Sequence, residues 1–422
     1  MTKISSLTPA LFVHAERLLL QLLSFAHPAD GVLSRYFREH RNLGHRDRAF
    51  LAELLYFVLR RYRSLLARCE GEATQRHLLL AALVMQGHNL REVEPVVRAS
   101  ERDWLARVKG FALDAQPPAV RLDLPDWLYE RLVKQWGEAE TVALAAALNR
   151  PAPLDVRVNE LKASRAEVLE RLAADGIAAA PGAYAPTAIR LADKPALAKH
   201  PLFLSGAIEV QDEGSQLLGF LLAPRRGEMV ADFCAGAGGK TLLLGALMRN
   251  TGRLYAFDVS EKRLANLKPR LARSGLSNVH PVRIESERDT KLKRLAGKMD
   301  RVLVDAPCSG LGTLRRNPDL KWRQSPAAVE ELAAKQTAIL MSAARLVRPG
   351  GRLVYATCSL LREENDAVID AFLAAEPGFA LVPAYQELAR HAWPGQEARL
   401  QLRPDLHGTD GFYAVVLERQ GA

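Results

Sequence analysis

MVADFCAGAGGKTLLLGALMRNTGRLYAFD, residues 229–258, reads as a strand, a glycine-rich turn, a helix and a second strand. Met229–Phe233 is apolar and short, Lys240–Asn250 has helical apolar spacing, and Arg253–Phe257 is again strand-like. The turn between them, Cys234-Ala235-Gly236-Ala237-Gly238-Gly239-Lys240, consists almost entirely of small residues, so its backbone can approach a ligand closely. The second strand ends in Asp258, twenty residues past Gly238, where a carboxylate can accept both hydroxyls of a ribose. Together the turn and the acid point to a nucleoside-containing cofactor. Nicotinamide, flavin and S-adenosylmethionine proteins all share this pairing, and the stretch alone leaves the choice open. A phosphate-binding loop is excluded, because Gly-x-x-x-x-Gly-Lys-Thr would need glycine at 234, where Cys234 stands.

The same alternation continues towards the carboxyl end. Helix is expected over Glu261–Ser274, Pro326–Val347 and Glu363–Ala375, and strand over Val279–Ile284, Arg301–Val304, Arg352–Ala356 and Gly411–Leu417. This rhythm predicts a doubly wound, mostly parallel α/β sheet of Rossmann type over 216–422, with its ligand site outside the carboxyl ends of the strands. Two strands of that sheet, expected to be neighbours, run into cysteine motifs at this rim: Asp305-Ala306-Pro307-Cys308-Ser309 and Tyr355-Ala356-Thr357-Cys358-Ser359. A lone cysteine is usually a small buried hydrophobe, and Cys69 is read that way. At a rim beside an acid, a thiol can be a nucleophile once its pKa is lowered enough to supply thiolate.

Upstream, Pro151 and Pro153 break the chain, and 146–215 alternates briefly as a small α/β connector with strands at Leu154–Asn159 and Ala207–Gln211 around a helix at Ser164–Asp175. Residues 1–145 show only helical periodicity, as at Phe50, Leu54, Leu55 and Val58, with Asp47 placed to cap that helix. The whole chain has 422 residues, with 58 Lys and Arg against 48 Asp and Glu. The excess of ten is split +4 over 1–150 and +6 over the rest, so any polyanion-binding surface must be assembled by folding. The four cysteines include no Cys-x-x-Cys pair, which argues against a disulfide framework and a zinc cluster, and no metal is expected. Met1–His27, with Lys3, Glu16 and Arg17, does not read as a signal peptide, and no apolar run is long enough to span a membrane. A cytoplasmic protein with reduced thiols is expected.

CAGAGGKT at 234–241, DAPCSGLGT at 305–313, RRNPDLKWR at 315–323 and YATCSLLREEN at 355–365 resemble the motifs of the RsmB/NOP (Sun) family of RNA 5-methylcytosine methyltransferases. VQDEGSQL at 210–217 and DGFYAVVLER at 410–419 match as well, and RDRAFLAELLYFVLRR at 46–61 looks like the NusB-like helical domain of RsmB proteins. The resemblance implies a class I methyltransferase sheet, S-adenosyl-L-methionine as cofactor and RNA as partner, with 16S rRNA favoured over tRNA. It implies Cys358 as the nucleophile that adds to cytosine C6, Cys308 as the thiol that assists product release, and Asp305 as a contact to N3 of the base. The cofactor would lie on Cys234, Ala235, Gly236, Ala237, Gly238, Gly239 and Lys240, with Asp258, Asp305 and an adenine-edge acid at Glu285. The family has proline where this chain has Ala237, which frees one φ angle without removing a contact group.

Basic residues flank the strand that leads to Cys308. Lys291, Lys293, Arg294 and Lys298 precede it, and Arg315, Arg316, Lys321 and Arg323 follow it around Trp322, a pattern that fits phosphate contact and base stacking. The target base must be single-stranded or flipped to reach a thiol in a cleft. The protein is expected to act as a monomer and without a membrane. A non-catalytic RNA-binding assembly factor on the same fold is the alternative of a different class, and the presence of both rim cysteines and Asp305 counts against it.

Overall fold

The computed structural model describes residues 7–71 and 73–421; the part of the leader reading that rests on Met1–Ser6, including Lys3, lies outside them. The chain divides into two compact units, Met1–Pro151 with Thr313–Pro326, and Ala152–Gly312 with Ala327–Ala422. The helical unit therefore extends to Pro151 and takes in a segment from beyond the cysteine motif. The expected connector shares one unit with the large sheet.

In the helical unit, Pro9–Leu22, His45–Arg60 and Gln75–Met85 bury Leu18, Leu19, Leu51, Leu54, Leu55, Leu78 and Leu79 in one core. These apolar residues recur every three or four positions, which places them on one helix face. Asp47 acts one turn inside the helix start: its carboxylate accepts from Gly44 N–H at 3.1 Å, so the helix begins at His45, ahead of the expected cap.

The other unit contains two sheets. Strands β1 (Leu154–Val158), β2 (Ala179–Pro181), β3 (Ala188–Leu191) and β4 (Ile208–Val210) form an antiparallel sheet in the order β2-β3-β1-β4, with the helix Arg165–Ala174 against it. The large sheet comprises β5 (Met229–Asp232), β6 (Arg253–Asp258), β7 (Val279–Arg283), β8 (Met299–Asp305), β9 (Val347–Thr357), β10 (Phe379–Val382), β11 (Leu400–Leu402) and β12 (Phe412–Arg419). Its order is β10-β12-β9-β8-β5-β6-β7, with β11 on β12. Strands β5 to β9 run parallel, whereas β12 is antiparallel to β9. From β5 the chain winds first towards β6 and β7, then returns to β8 on the other side. The strand order reverses between β5 and β8, and in open α/β sheets that reversal leaves a crevice at the carboxyl ends.

The helix Glu213–Leu222 is buried along its whole length because it packs on β9 and β12 and also on β1. That explains the apolar run Leu217–Leu222 and joins the small sheet to the large one. No helix among the described residues is long and apolar enough to cross a membrane.

Candidate active site

A cavity of about 850 Å³ opens at the reversal point between β5 and β8. Its floor is the turn after β5, and its sides come from the ends of β6, β8 and β9. The turn is fixed at Gly238, whose φ of +83° is left-handed and whose place leaves no room for a Cβ, which would meet Leu267 Cδ1 at 2.1 Å. Cys234, Ala235, Gly236, Ala237, Gly239 and Lys240 line the cavity; Gly238 instead packs away from it. Asp258 ends β6 with its carboxylate already oriented, Oδ2 accepting from Gly236 N–H at 2.8 Å and Oδ1 from Ser260 N–H at 2.7 Å. Its remaining lone pairs can accept ribose hydroxyls. Val259 and Ile284 add an apolar wall beside it.

The turn is also held from outside by two arginines. Arg157, on β1, is buried and donates to Gly239 C=O at 2.6 Å and to Gln211. Burial brings its guanidinium down to about 10, against the opposing pull of Glu209. Arg270 donates to Ala237 C=O at 2.7 Å and pairs with Glu209 on β4 at 3.0 Å. The small sheet therefore anchors the cofactor turn.

On the other wall, β8 and β9 are hydrogen-bonded neighbours in register Asp305 to Ala356, so the segments after both strands emerge together. Cys308 Sγ and Cys358 Sγ lie 3.3 Å apart, and both line the cavity. The loop after Cys308 folds back so that Gly312 N–H donates to Cys358 C=O at 2.8 Å. A Cβ on Gly312 would lie 2.2 Å from Gly411 O, so only glycine fits there. The Cys308 thiol is pushed well up by its hydrogen bond to Cys358, by burial and by the nearby Glu364 carboxylate. In this pair Cys308 keeps its proton and can donate it as a hydrogen bond to the Cys358 sulfur.

Asp305 accepts from Lys240 Nζ at 2.6 Å across the cavity. Burial acts to lower the lysine pKa, but Asp305 outweighs it and the net direction is upward, so Lys240 remains an ammonium. Lys240, expected among the cofactor residues, thus reaches towards Asp305 on the wall that carries the thiols.

Several residues differ from expectation. Glu285 is exposed and absent from the cavity wall, with its N–H donating to Asp289 at 2.9 Å; Glu287 lines the cavity instead. The turn after β7 points Ile284 inward and Glu285 outward. Of the basic residues after the cysteine motif, Arg315 and Lys321 are buried within the helical unit. Lys321 Nζ donates to Arg60 C=O at 3.0 Å and Asn149 Oδ1 at 2.9 Å, so it is not presented to a phosphate. Arg323 is half-buried and pairs with Asp319 at 3.4 Å, and Arg316 is half-buried. Trp322, expected to stack on a base, donates its indole N–H to Leu59 C=O at 2.7 Å. Lys293, Arg294 and Lys298 are exposed but lead into the amino end of β8, opposite the thiols. Sequence reasoning missed Asp232, Gln211 and Lys335 on the cavity wall. Asp232 ends β5 immediately before the glycine turn, and that position was its only signal.

A family model described as 16S rRNA methyltransferase RsmB/F matches residues 219–418, and one for the ferredoxin-like domain of RsmF/B-like methyltransferases matches 124–197. Over 341 residues the chain is 35% identical to the probable ribosomal RNA small subunit methyltransferase B of Bacillus subtilis, covering 78% of this chain and 74% of the relative. Over 406 residues it is 34% identical to the ribosomal RNA small subunit methyltransferase B of Sodalis glossinidius, covering 90% and 91%. A solved methyltransferase homolog protein from Pyrococcus horikoshii is 31% identical with a TM-score of 0.62, over 72% of this chain and 100% of that one.

Proposed function

The chain belongs to the 16S rRNA methyltransferase RsmB/F family, and from that premise we propose that it methylates C5 of a cytosine in RNA, through a covalent bond between Cys358 and C6 of the base. The observation that carries this reading is the pair of thiols, 3.3 Å apart, on the wall of the cavity that Asp258 and the glycine turn also line. Small-subunit ribosomal RNA is the favoured substrate, because the relatives named for that activity align over most of their own length.

The residues fit S-adenosyl-L-methionine. Asp258 suits its ribose, and Asp232 has a buried oxygen, Oδ1, that has no partner and lies in a side chain on the cavity wall, where a cationic group would complement it. When bound, this cofactor supplies an electrophilic methyl group. Cytosine C5 is too weak a nucleophile to take that group unaided. The Cys358 thiolate adds to C6, which makes C5 enamine-like and raises the basicity of N3. We assign Asp305 the contact to N3; its carboxylate accepts from the Lys240 ammonium, so the proton that N3 gains comes from Lys240, relayed through Asp305. After methylation water takes the C5 proton, the C6–S electron pair returns to Cys358 as thiolate, N3 gives its proton back to the Asp305–Lys240 pair, and the C5–C6 double bond is restored. Cys308 assists that elimination, next to the sulfur that must leave.

The test uses 16S rRNA and methyl-labelled S-adenosylmethionine, followed by nucleoside analysis. Labelled 5-methylcytidine is expected, and its absence from every RNA offered would refute the reading. Cys358→Ala abolishes both turnover and adduct, while Cys308→Ala accumulates a denaturation-resistant protein–RNA adduct. The reverse pattern would exchange the two roles.

A further inference from the structure

Beyond the ends of β8 and β9 the backbone ladder stops, yet the two thiols remain in contact. The residue after each cysteine explains this. Ser309 follows Cys308 and Ser359 follows Cys358; both are buried, and their hydroxyls lie 3.2 Å apart. Both converge on one carboxylate, that of Glu364, which is fully buried at 0% exposure. Glu364 Oε2 accepts from Ser309 Oγ at 2.5 Å and also from Ser359 Oγ. Its other oxygen, Oε1, accepts from Ser309 N–H at 2.7 Å and from Gln336 Nε2 at 3.0 Å.

The carboxylate is itself fixed. Gln336, buried on the helix Pro326–Ala344, also donates to Pro307 C=O at 2.9 Å, just before Cys308. Tyr355 OH, from β9, donates to the Glu364 backbone carbonyl at 2.6 Å. The neighbouring Asn365 accepts from Thr357 Oγ1 at 2.6 Å and donates to Ser359 C=O at 3.1 Å. A buried carboxylate with only acceptor sites can be satisfied here because each serine directs its single hydroxyl proton inward.

We propose that Glu364 is a positioning residue for the reaction inferred above: by accepting one hydroxyl from each cysteine motif it holds the two sulfurs at contact distance, with its carboxylate beside Cys308. The inference rests on that reading of the two thiols. A negative charge beside Cys308 opposes its ionisation, in keeping with the upward direction of that thiol.

The test is alkylation of the full-length protein with iodoacetamide across pH 6–10, with modification of each cysteine read by mass spectrometry, alongside steady-state methylation. In the wild type, Cys358 reacts well ahead of Cys308. In Glu364→Gln the buried charge is gone, so Cys308 ionises more readily and the ratio falls towards one. Turnover falls about 10²-fold, the scale of a misplaced reacting group, while cofactor affinity stays within about twofold. Ser309→Ala and Ser359→Ala each remove one donor and shift the ratio and turnover in the same direction by roughly tenfold. A lowered turnover with the wild-type alkylation ratio would mark Glu364 as merely structural and overturn the proposal. Should Glu364→Gln not fold, an unchanged ratio in both serine variants overturns it equally. Alkylation requires neither RNA nor cofactor, so absence of methylation in the wild type would refute the proposed function and leave this test standing.

Discussion

Asp232 is the described residue of the cavity wall that keeps a buried side-chain oxygen without a hydrogen-bond partner. Its Oδ2 accepts from Thr241 Oγ1 at 2.7 Å, while Oδ1 is buried without a partner. Burial, with Asp305 and Asp258 adding to it, pushes the carboxyl up to about 7 from 3.8. The folded chain therefore keeps a proton that the unfolded chain releases between these two values. Ionising Asp232 in the folded state costs stability, so the ligand-free protein weakens as pH rises through that window. Asp232→Asn cannot ionise, and its melting temperature should gain on the wild type between pH 5 and pH 8. A cation bound against Oδ1 favours the ionised form, so cofactor affinity in the wild type should rise with pH up to about 7 and level off above it, and stay flat in the variant. Calorimetric titration of the cofactor and thermal melts at both pH values measure this. An equal melting difference at pH 5 and pH 8 would show that Asp232 does not titrate there.

Among the elements, the turn after β5 depends on side chains from two directions. Ala237 stands in the middle of that turn, and Arg270 holds its carbonyl at 2.7 Å from the helix Glu261–Ser274. A charged donor lost from a carbonyl costs about 1.5–3 kcal/mol, so Arg270→Ala should weaken cofactor binding by roughly tenfold or more. The same change leaves Glu209 with Arg273 as its remaining partner among these arginines. Calorimetry should show the loss in cofactor affinity with the Cys308/Cys358 alkylation ratio unchanged; a shift in both would mean the turn and the thiols move as one. Strand β6, the helix after it and the parallel core were legible in the sequence, because apolar periodicity and glycine turns are local signals. The strands β10 and β11, four and three residues long, carry too little pattern to read. Arg157 was equally hidden: on a strand it reads as an outward-facing charge, and its partner Gly239 lies 82 residues away in the chain. Cys308, Cys358, Asp258 and Asp305 could be singled out because each stands at or just past a strand end, whereas the convergence of Ser309 and Ser359 on Glu364 exists only once the sheet is assembled. Glu285 was expected on the cavity wall and Glu287 stands there instead, because a turn, unlike a strand, gives no period by which to count.

At the scale of the whole molecule, the segment Thr313–Pro326 belongs to the helical unit although it follows the Cys308 motif in sequence. Leu314, Asp319 and Lys321 are buried there at 2%, 4% and 1% exposure, and Asp319 accepts from Ala29 N–H at 3.2 Å. The helical unit is therefore a discontinuous piece of chain, and the basic run in this segment secures it internally. Lys321 is pushed down to about 7 by burial, with Arg61 and Arg60 adding to it against Asp123. Its two acceptors, Arg60 C=O and Asn149 Oδ1, match the two N–H groups of a neutral amine. In solvent the same side chain titrates near 10.5, so docking this segment expels a proton at any pH between about 7 and 10.5. A fragment of residues 1–151 should therefore be stabilised by a synthetic peptide of residues 313–326 added in trans, with a higher melting temperature as peptide is added. The affinity should strengthen with pH by up to about tenfold per unit across that window. A Lys321→Met peptide, which has no proton to lose, should bind with no such dependence. Binding by the wild-type peptide that is equally tight at pH 7 and pH 9 would mean that Lys321 docks as an ammonium. No binding at either pH would mean that the segment is carried by its neighbours in the chain and contributes little to the helical unit.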